Sequence, residues 1–422
     1  QKLQASGYAK KINTETLSRL QNWFEEENIF INKKIWQWLQ YLLPTIILTI
    51  IALNITNVIG DYLRNYCLLA SALVAFFVSK KVTSIHQQVS KISGELEVLT
   101  ESIRLVEQAT FTSPLLQQLQ LSYKEQNGTA SEKLNKLRKI IERLDLRYNF
   151  VVFIPLDIIL QWDLQQAIAL ERWKKKNQKN VIDWFTKLGE FEALNSLAIL
   201  SFNHKDWTFP EFKQAHFSIE GIEVGHPLLK ADTCVPNPIS ISKAGELMLV
   251  TGSNMAGKST YLRSIGINTV LAMCGAPVYA KYFCLSPVQI ISSMRIADNL
   301  EESTSTFYAE LKKLKIVIEK VNNNEDVFIL LDEILRGTNS LDRHTGSVAL
   351  IKQLIKHNAA GIIATHDIGL ADLKTDYPSN ILNYHFDVEV NNTELYFDYK
   401  LKEGTCNSLN ASILMKKIGI EL

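Results

Sequence analysis

The chain has 422 residues, which is enough for two or three domains of roughly 100–200 residues each. Hydrophobic residues make up 46% of it and charged residues 21%, the balance of a globular protein with ample core material. The formal net charge of +1 excludes a surface that is basic overall, so any contact with nucleic acid has to come from a local patch. The cysteines show no C-x-x-C pair and no histidine partner at zinc spacing, which predicts reduced thiols in a cytosolic protein.

Two apolar segments lie near the start of the chain. Residues 35–58 carry no charge, a second apolar run covers residues 66–78, and lysine pairs flank both outer ends. A membrane span needs about 20 apolar residues, and the lysines would keep both ends on the cytoplasmic side. We therefore predict a membrane hairpin within residues 35–81.

The alternative is a pair of core helices buried in a large helical domain. Asn54, Asn57 and Arg64 favour this alternative because polar groups are costly in lipid. The expected location is the cytoplasmic side of a membrane if the hairpin inserts, and the cytoplasm otherwise.

Residues 83–150 show apolar side chains at helical spacing, which predicts long helices of a bundle core or lever. The densest basic run lies at residues 172–179. Such a run is usually a solvated helix face, and contact with phosphates is the other interpretation. Near residue 205 the pattern changes to short strands alternating with helices, which predicts a mixed sheet flanked by helices. We divide the chain into an N-terminal segment (1–82), a helical domain (83–204) and an α/β domain (205–422).

A glycine-rich loop follows a strand-like run at residues 247–251 and matches G-x-x-x-x-G-K-[ST]. Its backbone N–H groups can surround phosphates, and the following helix adds partial positive charge. Lys258 would reach the β- and γ-phosphates, and Ser259 would ligate Mg²⁺. The predicted ATP-binding residues are Gly252, Ser253, Asn254, Met255, Ala256, Gly257, Lys258, Ser259 and Thr260.

Two further strand-like runs end in polar residues. The run 327–331 leads into Asp332 and Glu333, and the run 361–364 leads into Thr365 and His366. Asp332 would hold Mg²⁺ and Glu333 would polarise the attacking water. His366 would lie in the crevice at the carboxyl ends of the strands, where α/β sheets bind ligands.

These motifs, in this order, resemble the ABC-type P-loop ATPase domain of the MutS family of DNA mismatch-repair proteins. The resemblance covers about residues 190–422 and rests on Gly252–Thr260, Ser305-Thr306-Phe307 with Glu310, Asp332–Thr338, and Ala364-Thr365-His366. It implies a head-to-tail homodimer in which each ATP lies between two ATPase domains. Ser305 and Thr306 would then face the γ-phosphate bound by the partner. Asn254 would contact the nucleotide or the water shell of its metal, and His366 would sense the γ-phosphate or place the water.

The chain also departs from the family pattern. The N-terminal modules that carry the family's mismatch-reading wedge have no counterpart here, and Cys234 falls where an aromatic residue usually stacks on adenine. We therefore expect a Mg²⁺-dependent ATPase that couples its ATP state to double-stranded DNA in mismatch repair or recombination. The alternative is a membrane-associated ATPase switch that acts on a protein partner.

Overall fold

The structure is a computed structural model that describes residues 15–125, 128–214, 216–253, 255–294, 306–391 and 394–406. The chain divides into two compact units, residues 1–195 and 196–422. The division predicted from the sequence, with boundaries at residues 82 and 204, stays a prediction. One long helix runs through residue 82 without a break.

The described residues of the first unit are helical apart from two short antiparallel strands, β1 and β2. Its elements are α1 (Glu15–Glu25), α2 (Lys34–Ile55), α3 (Asp61–Gln108), α4 (Pro114–Leu121), β1 (Lys124–Glu125), β2 (Gly128–Thr129), α5 (Ala130–Leu144), a 3₁₀ turn (Asp145–Tyr148), α6 (Phe150–Leu160) and α7 (Trp162–Asn203), which continues into the second unit.

The core of this unit follows the helical periodicity of its sequence. Leu134, Leu137 and Ile141 recur at spacings of three and four along α5 and are fully buried in one apolar cluster with residues of α3. The start of α5 is fixed by a capping box: Thr129 accepts a hydrogen bond from the Glu132 N–H, and the Glu132 carboxylate accepts one from the Thr129 N–H.

The apolar helices α2 and α3 are long enough and apolar enough to cross a membrane, over Lys34–Ile55 and Asp61–Ile92. Only 17% and 28% of their most apolar windows are buried against the described residues. This exposure disfavours the interpretation as buried core helices. The polar residues that had favoured it lie at the turn, where Arg64 donates to Asn54 Oδ1 at 2.8 Å and forms an ion pair with Asp61. Membrane insertion stays a prediction.

The second unit contains two sheets and a small hairpin. Its strands are β3 (Glu211–Phe212), β4 (Ile219–Val224), β5 (Asn237–Ile241), β6 (Leu247–Gly252), β7 (Tyr282–Leu285), β8 (Gln289–Ser293), β9 (Val327–Asp332), β10 (Ala360–Thr365), β11 (Ile381–Phe386), β12 (Glu389–Asn391), β13 (Glu394–Tyr396) and β14 (Leu401–Glu403). Its helices are α8 (Lys258–Met273), α9 (Thr306–Asn322), α10 (Ser340–Lys356) and α11 (Leu373–Asp376).

The larger sheet has the order β14-β11-β6-β10-β9-β8 and is parallel except for β14 at one edge. The smaller sheet has the order β3-β7-β4-β5. Every residue of β6, β9 and β10 is buried, as expected for parallel strands covered on both faces. Met248 and Val250 point into the cluster that contains α8, and Leu247 and Leu249 point into the cluster that contains α9 and α10. The predicted fold class, a mixed sheet flanked by helices and preceded by a helical domain, is confirmed.

A candidate nucleotide-binding site at the edge of the sheet

Three neighbouring parallel strands end at the same edge of the larger sheet. Thr365 of β10 is in register with Thr251 of β6, and Ala364 is in register with Asp332 of β9. Parallel strands place their carboxyl ends together, so the segments that follow them converge. The sheet thereby brings together the three regions that the sequence analysis singled out separately.

The glycine-rich loop needs glycine at both ends. Gly252 has φ +147°, and a Cβ there would lie 2.8 Å from the Phe386 carbonyl oxygen. Gly257 has φ +108° and immediately precedes α8. Residues with a side chain rarely adopt these backbone conformations, which explains why both positions are glycine. Met255, between them, is 83% exposed, and Asn254 lies outside the described residues.

Lys258 opens α8 and turns back over the loop. Its Nζ donates to the carbonyl oxygens of Gly252 and Ser253, both at 2.9 Å, and only 5% of the residue is exposed. Burial lowers the pKa of Lys258 to about 8, with Asp332 acting in the opposite direction. The ammonium group is therefore held in place by the loop that would surround the phosphates.

Glu333 lies in a strained position at the end of β9. Its φ is +54°, and its N–H donates to the Ala364 carbonyl at 2.8 Å. Its Oε1 lies 2.7 Å from His366 Nε2, and its Oε2 contacts the Arg336 guanidinium. The left-handed conformation thus aims the carboxylate across the sheet edge, where His366 and Arg336 hold it.

His366 is neutral in this arrangement. Burial, followed by the nearby Lys258 ammonium, lowers the pKa of His366 to about 4. Nε2 lies 3.4 Å from Lys258 Nζ, within hydrogen-bond distance, and 2.7 Å from the Glu333 carboxylate. His366 therefore lies between the Lys258 ammonium group and the carboxylate of Glu333.

Asp332 and Ser259 are the predicted Mg²⁺ ligands. Asp332 is 8% exposed, and its buried Oδ1 has no hydrogen-bond partner among the described residues. A buried carboxylate oxygen without a partner is costly, and a divalent cation would satisfy it. Ser259 lines the adjoining cavity. This donor set fits Mg²⁺, which takes few protein ligands besides water and phosphate oxygens.

A cavity of about 620 Å³ adjoins the glycine-rich loop, a volume suited to a nucleotide. Cys234 lines it, as the sequence position predicted. Tyr399, which sequence reasoning missed, also lines it, and its ring would lie 3.2 Å from a Cβ on Gly257. Tyr399 stacks on Phe397 with ring centroids 5.9 Å apart. No local motif marks Tyr399, because the fold alone brings it to the loop.

Glu310 holds the segment that follows the two acidic residues. Its carboxylate accepts hydrogen bonds from the backbone N–H groups of Leu335 at 2.5 Å and Arg336 at 3.3 Å. Leu335, like Glu333, has a positive φ of +59°. Glu310 is one of the residues that carry the resemblance, which assigns it no role. The structure makes it the link between α9 and the segment that carries Arg336 to the Glu333 carboxylate.

The two residues predicted to face a partner's nucleotide are only partly described. Ser305 lies outside the described residues, and Thr306 is the first residue of α9. Their predicted role therefore stays a prediction.

The basic run at residues 172–179 is divided by the periodicity of α7. Lys174 is 3% exposed, and its Nζ donates to the carbonyl oxygens of Trp23 and Glu26, both at 2.6 Å. Lys174 therefore holds the end of α1 and is not a phosphate contact. The exposed basic residues share one face of the helix at spacings of three and four: Arg172, Lys175, Lys176 and Lys179.

Parts of the chain are similar in sequence to known proteins. Residues 248–417 match the model of MutS domain V. The DNA mismatch repair protein MSH4 of Arabidopsis thaliana is 31% identical over 246 residues, covering 56% of this chain and 31% of that protein. The DNA mismatch repair protein MutS of Aquifex pyrophilus is 31% identical over 279 residues, covering 65% of this chain and 31% of that protein. The matched region is thus less than a third of the length of either relative.

Proposed function

Since its residues 248–417 match the model of MutS domain V, the chain belongs to the MutS family, and we propose that it binds and hydrolyses ATP with Mg²⁺ as cofactor. The observation that carries this proposal is the convergence of Lys258, Asp332, Glu333 and His366 at one sheet edge beside one cavity. The test is ATP turnover by the purified chain, with and without Mg²⁺. No turnover, together with no ATP binding, would reject the proposal.

Each residue has a distinct role in the proposed reaction. Lys258 and the loop N–H groups bind the β- and γ-phosphates, while Ser259 and Asp332 hold Mg²⁺, which neutralises the charge that develops on the phosphates. Glu333 orients and polarises the attacking water. The contacts of its carboxylate with His366 and Arg336 would hold Glu333 in position for this role.

We further propose that two copies pack head to tail, so that Ser305 and Thr306 of one chain complete the ATP site of the other. In such a dimer Glu310 would connect the two composite sites, because within one chain it joins the helix that follows Ser305 to the segment after Glu333. The test mixes a Lys258→Ala chain with a Ser305→Ala chain. In such a dimer one composite site carries both defects and the other carries none, so mixing restores part of the activity. If the ATP turnover of the mixture does not exceed that of either variant alone, the two chains do not share a site.

The proposed action of the dimer is to couple ATP state to double-stranded DNA in mismatch repair or recombination. The names of the relatives support this proposal, and the exposed basic face of α7 offers a contact for phosphates. The test measures binding of paired and mismatched duplexes with and without ATP, over a range of salt concentrations. The variant replaces Lys175, Lys176 and Lys179 by alanine, and Lys174 is left in place because it is structural. If the variant binds duplex DNA with unchanged affinity and salt dependence, this face does not contact DNA.

A second candidate function is a membrane-associated ATPase switch that acts on a protein partner from the cytoplasmic side. The exposure of the apolar side chains on α2 and α3 favours it. The test is flotation of the full chain with vesicles of phosphatidylcholine and phosphatidylglycerol. A chain that stays with the soluble fraction, and needs no detergent for solubility, would reject it.

A further inference from the structure

A third apolar helix packs against the predicted membrane hairpin. Helix α6 contacts both α2 and α3. It buries Phe153 and Asp157, its C-terminal residues are half-buried, and its first turns carry an exposed apolar face. Phe150 is 70% exposed, Val151 85% and Ile154 51%. Such an apolar face is unusual for a helix in water, and on α6 it adjoins the equally exposed apolar surfaces of α2 and α3.

Hydrogen bonds at both ends of α6 fix its position along α3. After its last residue, Gln161 is fully buried and donates to Ser71 Oγ at 3.0 Å, and Ser71 Oγ donates to the Ile158 carbonyl at 2.5 Å. Before its first residue, Arg147 donates to the Ser79 carbonyl at 3.0 Å and to Thr83 Oγ1 at 2.6 Å. Helix α6 therefore lies beside residues 71–79 of α3.

This part of α3 belongs to the candidate span. Residues 65–79 carry no charge, and Lys80-Lys81 follows directly. From Asp61 to Ser71 the helix rises by roughly 15 Å, about half the hydrocarbon thickness of a bilayer. The 11 residues of α6 are too few to cross a membrane, and the chain bends by 79° where α6 meets α7.

We propose that α6 is a third membrane-inserted element, which enters the hydrocarbon layer beside α3 from the Lys80-Lys81 side, reaches about half its depth and turns back at Gln161. The face formed by Phe150, Val151, Val152 and Ile154 then contacts lipid acyl chains. This proposal rests on insertion of the hairpin.

The polar groups of α6 fit this environment. The Asp157 carboxylate faces the protein interior and accepts a hydrogen bond from the Asp163 N–H at 2.9 Å. The Gln161 N–H donates to the Asp157 carbonyl at 2.8 Å. Polar side chains within a membrane face the protein, and backbone groups must be satisfied internally. The Asp157 carboxylate and the Gln161 backbone N–H meet these conditions.

The experiment places the photo-crosslinking residue p-benzoylphenylalanine at single positions of the full chain, in vesicles of phosphatidylcholine and phosphatidylglycerol. Position 151 tests α6, and position 69, which is 60% exposed on α3, tests the hairpin. Position 182 is the matched control, since Ile182 is a 41% exposed apolar residue on α7, roughly 30 Å along the helix from Trp162. After illumination, mass spectrometry detects the lipid adducts, and ATP turnover is measured on the same samples.

We expect lipid adducts at positions 151 and 69 and none at 182. Adducts at 69 without adducts at 151 would overturn the role of α6 while leaving the hairpin in the membrane. No adducts at either position would overturn the insertion of both α6 and the hairpin. A crosslink from position 151 to a second copy would also overturn the proposal, because it would show that protein and not lipid covers this face. Because ATP turnover is measured on the same samples, turnover without lipid adducts would reject membrane insertion while leaving the proposed ATPase intact.

A second variant keeps the proposal open to rejection if the photo-reactive chain does not fold. Val151→Asp places a charge on the lipid-facing surface, and Ile182→Asp places the same charge on α7. We expect Val151→Asp to lower the fraction of chain that floats with vesicles and Ile182→Asp to leave it unchanged. Equal flotation of the two variants would overturn the proposal.

Discussion

The two compact units depart from the usual burial of side chains in opposite ways. At the proposed ATP site, charged side chains such as Lys258 and Asp332 are almost fully buried at the end of an apolar sheet. In the hairpin of the first unit, large apolar side chains such as Trp38 and Phe76 are exposed by 72% and 66%. Both arrangements are costly in water without a ligand or a different solvent. Each therefore points to something that the polypeptide binds: phosphates and a cation in one unit, lipid in the other.

Short sequence motifs determine the function of only one of the two units. The groups of the ATP site belong to short sequence motifs, and each can be altered singly with a defined chemical consequence. The function of the hairpin is spread over many similar side chains, so exchanging one apolar side chain there for another is expected to have a small effect. The predictions below separate the two units on this basis.

The largest expected effect is that of Lys258→Ala. The substitution removes the ammonium group that the loop holds at 2.9 Å from two carbonyl oxygens and that would bind the phosphates. We expect ATP binding, measured by equilibrium dialysis, to fall below detection while flotation with vesicles stays unchanged. Unchanged ATP affinity would contradict the assignment of the site.

Glu333→Gln should separate ATP binding from hydrolysis. It removes the proposed general base and leaves the glycine-rich loop intact, so we expect turnover to fall by about 10²–10⁴-fold with ATP still bound. The ATP-bound dimer should then accumulate, which light scattering detects. Turnover at the parent rate would show that another group activates the water.

Lys174→Ala tests a structural role in the helical unit. Loss of the two charge-assisted hydrogen bonds to Trp23 and Glu26 should lower the free energy of unfolding by about 2–3 kcal/mol. Lys175→Ala, on the exposed side of the same helix, should change it by less than about 0.5 kcal/mol. Chemical denaturation measures both. Equal stability of the two variants would contradict the buried role of Lys174.

Glu310→Gln tests the positioning of the segment after Glu333. The amide is a weaker acceptor for the Leu335 and Arg336 N–H groups, so we expect kcat to fall about tenfold, equivalent to ~1.4 kcal/mol, with KM unchanged. Glu319→Gln, on the exposed face of the same helix, is the control. A rise in KM without a fall in kcat would contradict a positioning role.

The smallest expected effect is on pH dependence. Burial lowers the pKa of Lys258 to about 8, so the free protein loses this positive charge as the pH rises through that value. Bound phosphates favour the charged form, so ATP affinity should be constant below pH 8 and fall above it, by at most about tenfold per pH unit. Isothermal titration from pH 7 to 9.5 measures this. Constant affinity over that range would show that Lys258 remains charged in the free protein.

The sequence alone determined the parts of this protein that depend on local chemistry. The glycine spacing, the acidic pair after an apolar run and the following Thr365-His366 predicted the fold class and the family, because phosphate binding demands specific residues at fixed separations. The lengths of the apolar segments likewise marked the candidate spans.

Only the tertiary structure decided which side chains meet. Tyr399 reaches the nucleotide cavity, Glu310 holds the segment after Glu333, and α6 lies beside residues 71–79, although each is distant in sequence from its partner or carries no motif. It also showed that Lys174, alone among the basic residues of the run 172–179, is buried. Periodicity identifies the faces of a helix, but which face is covered depends on long-range packing that no short stretch of sequence encodes.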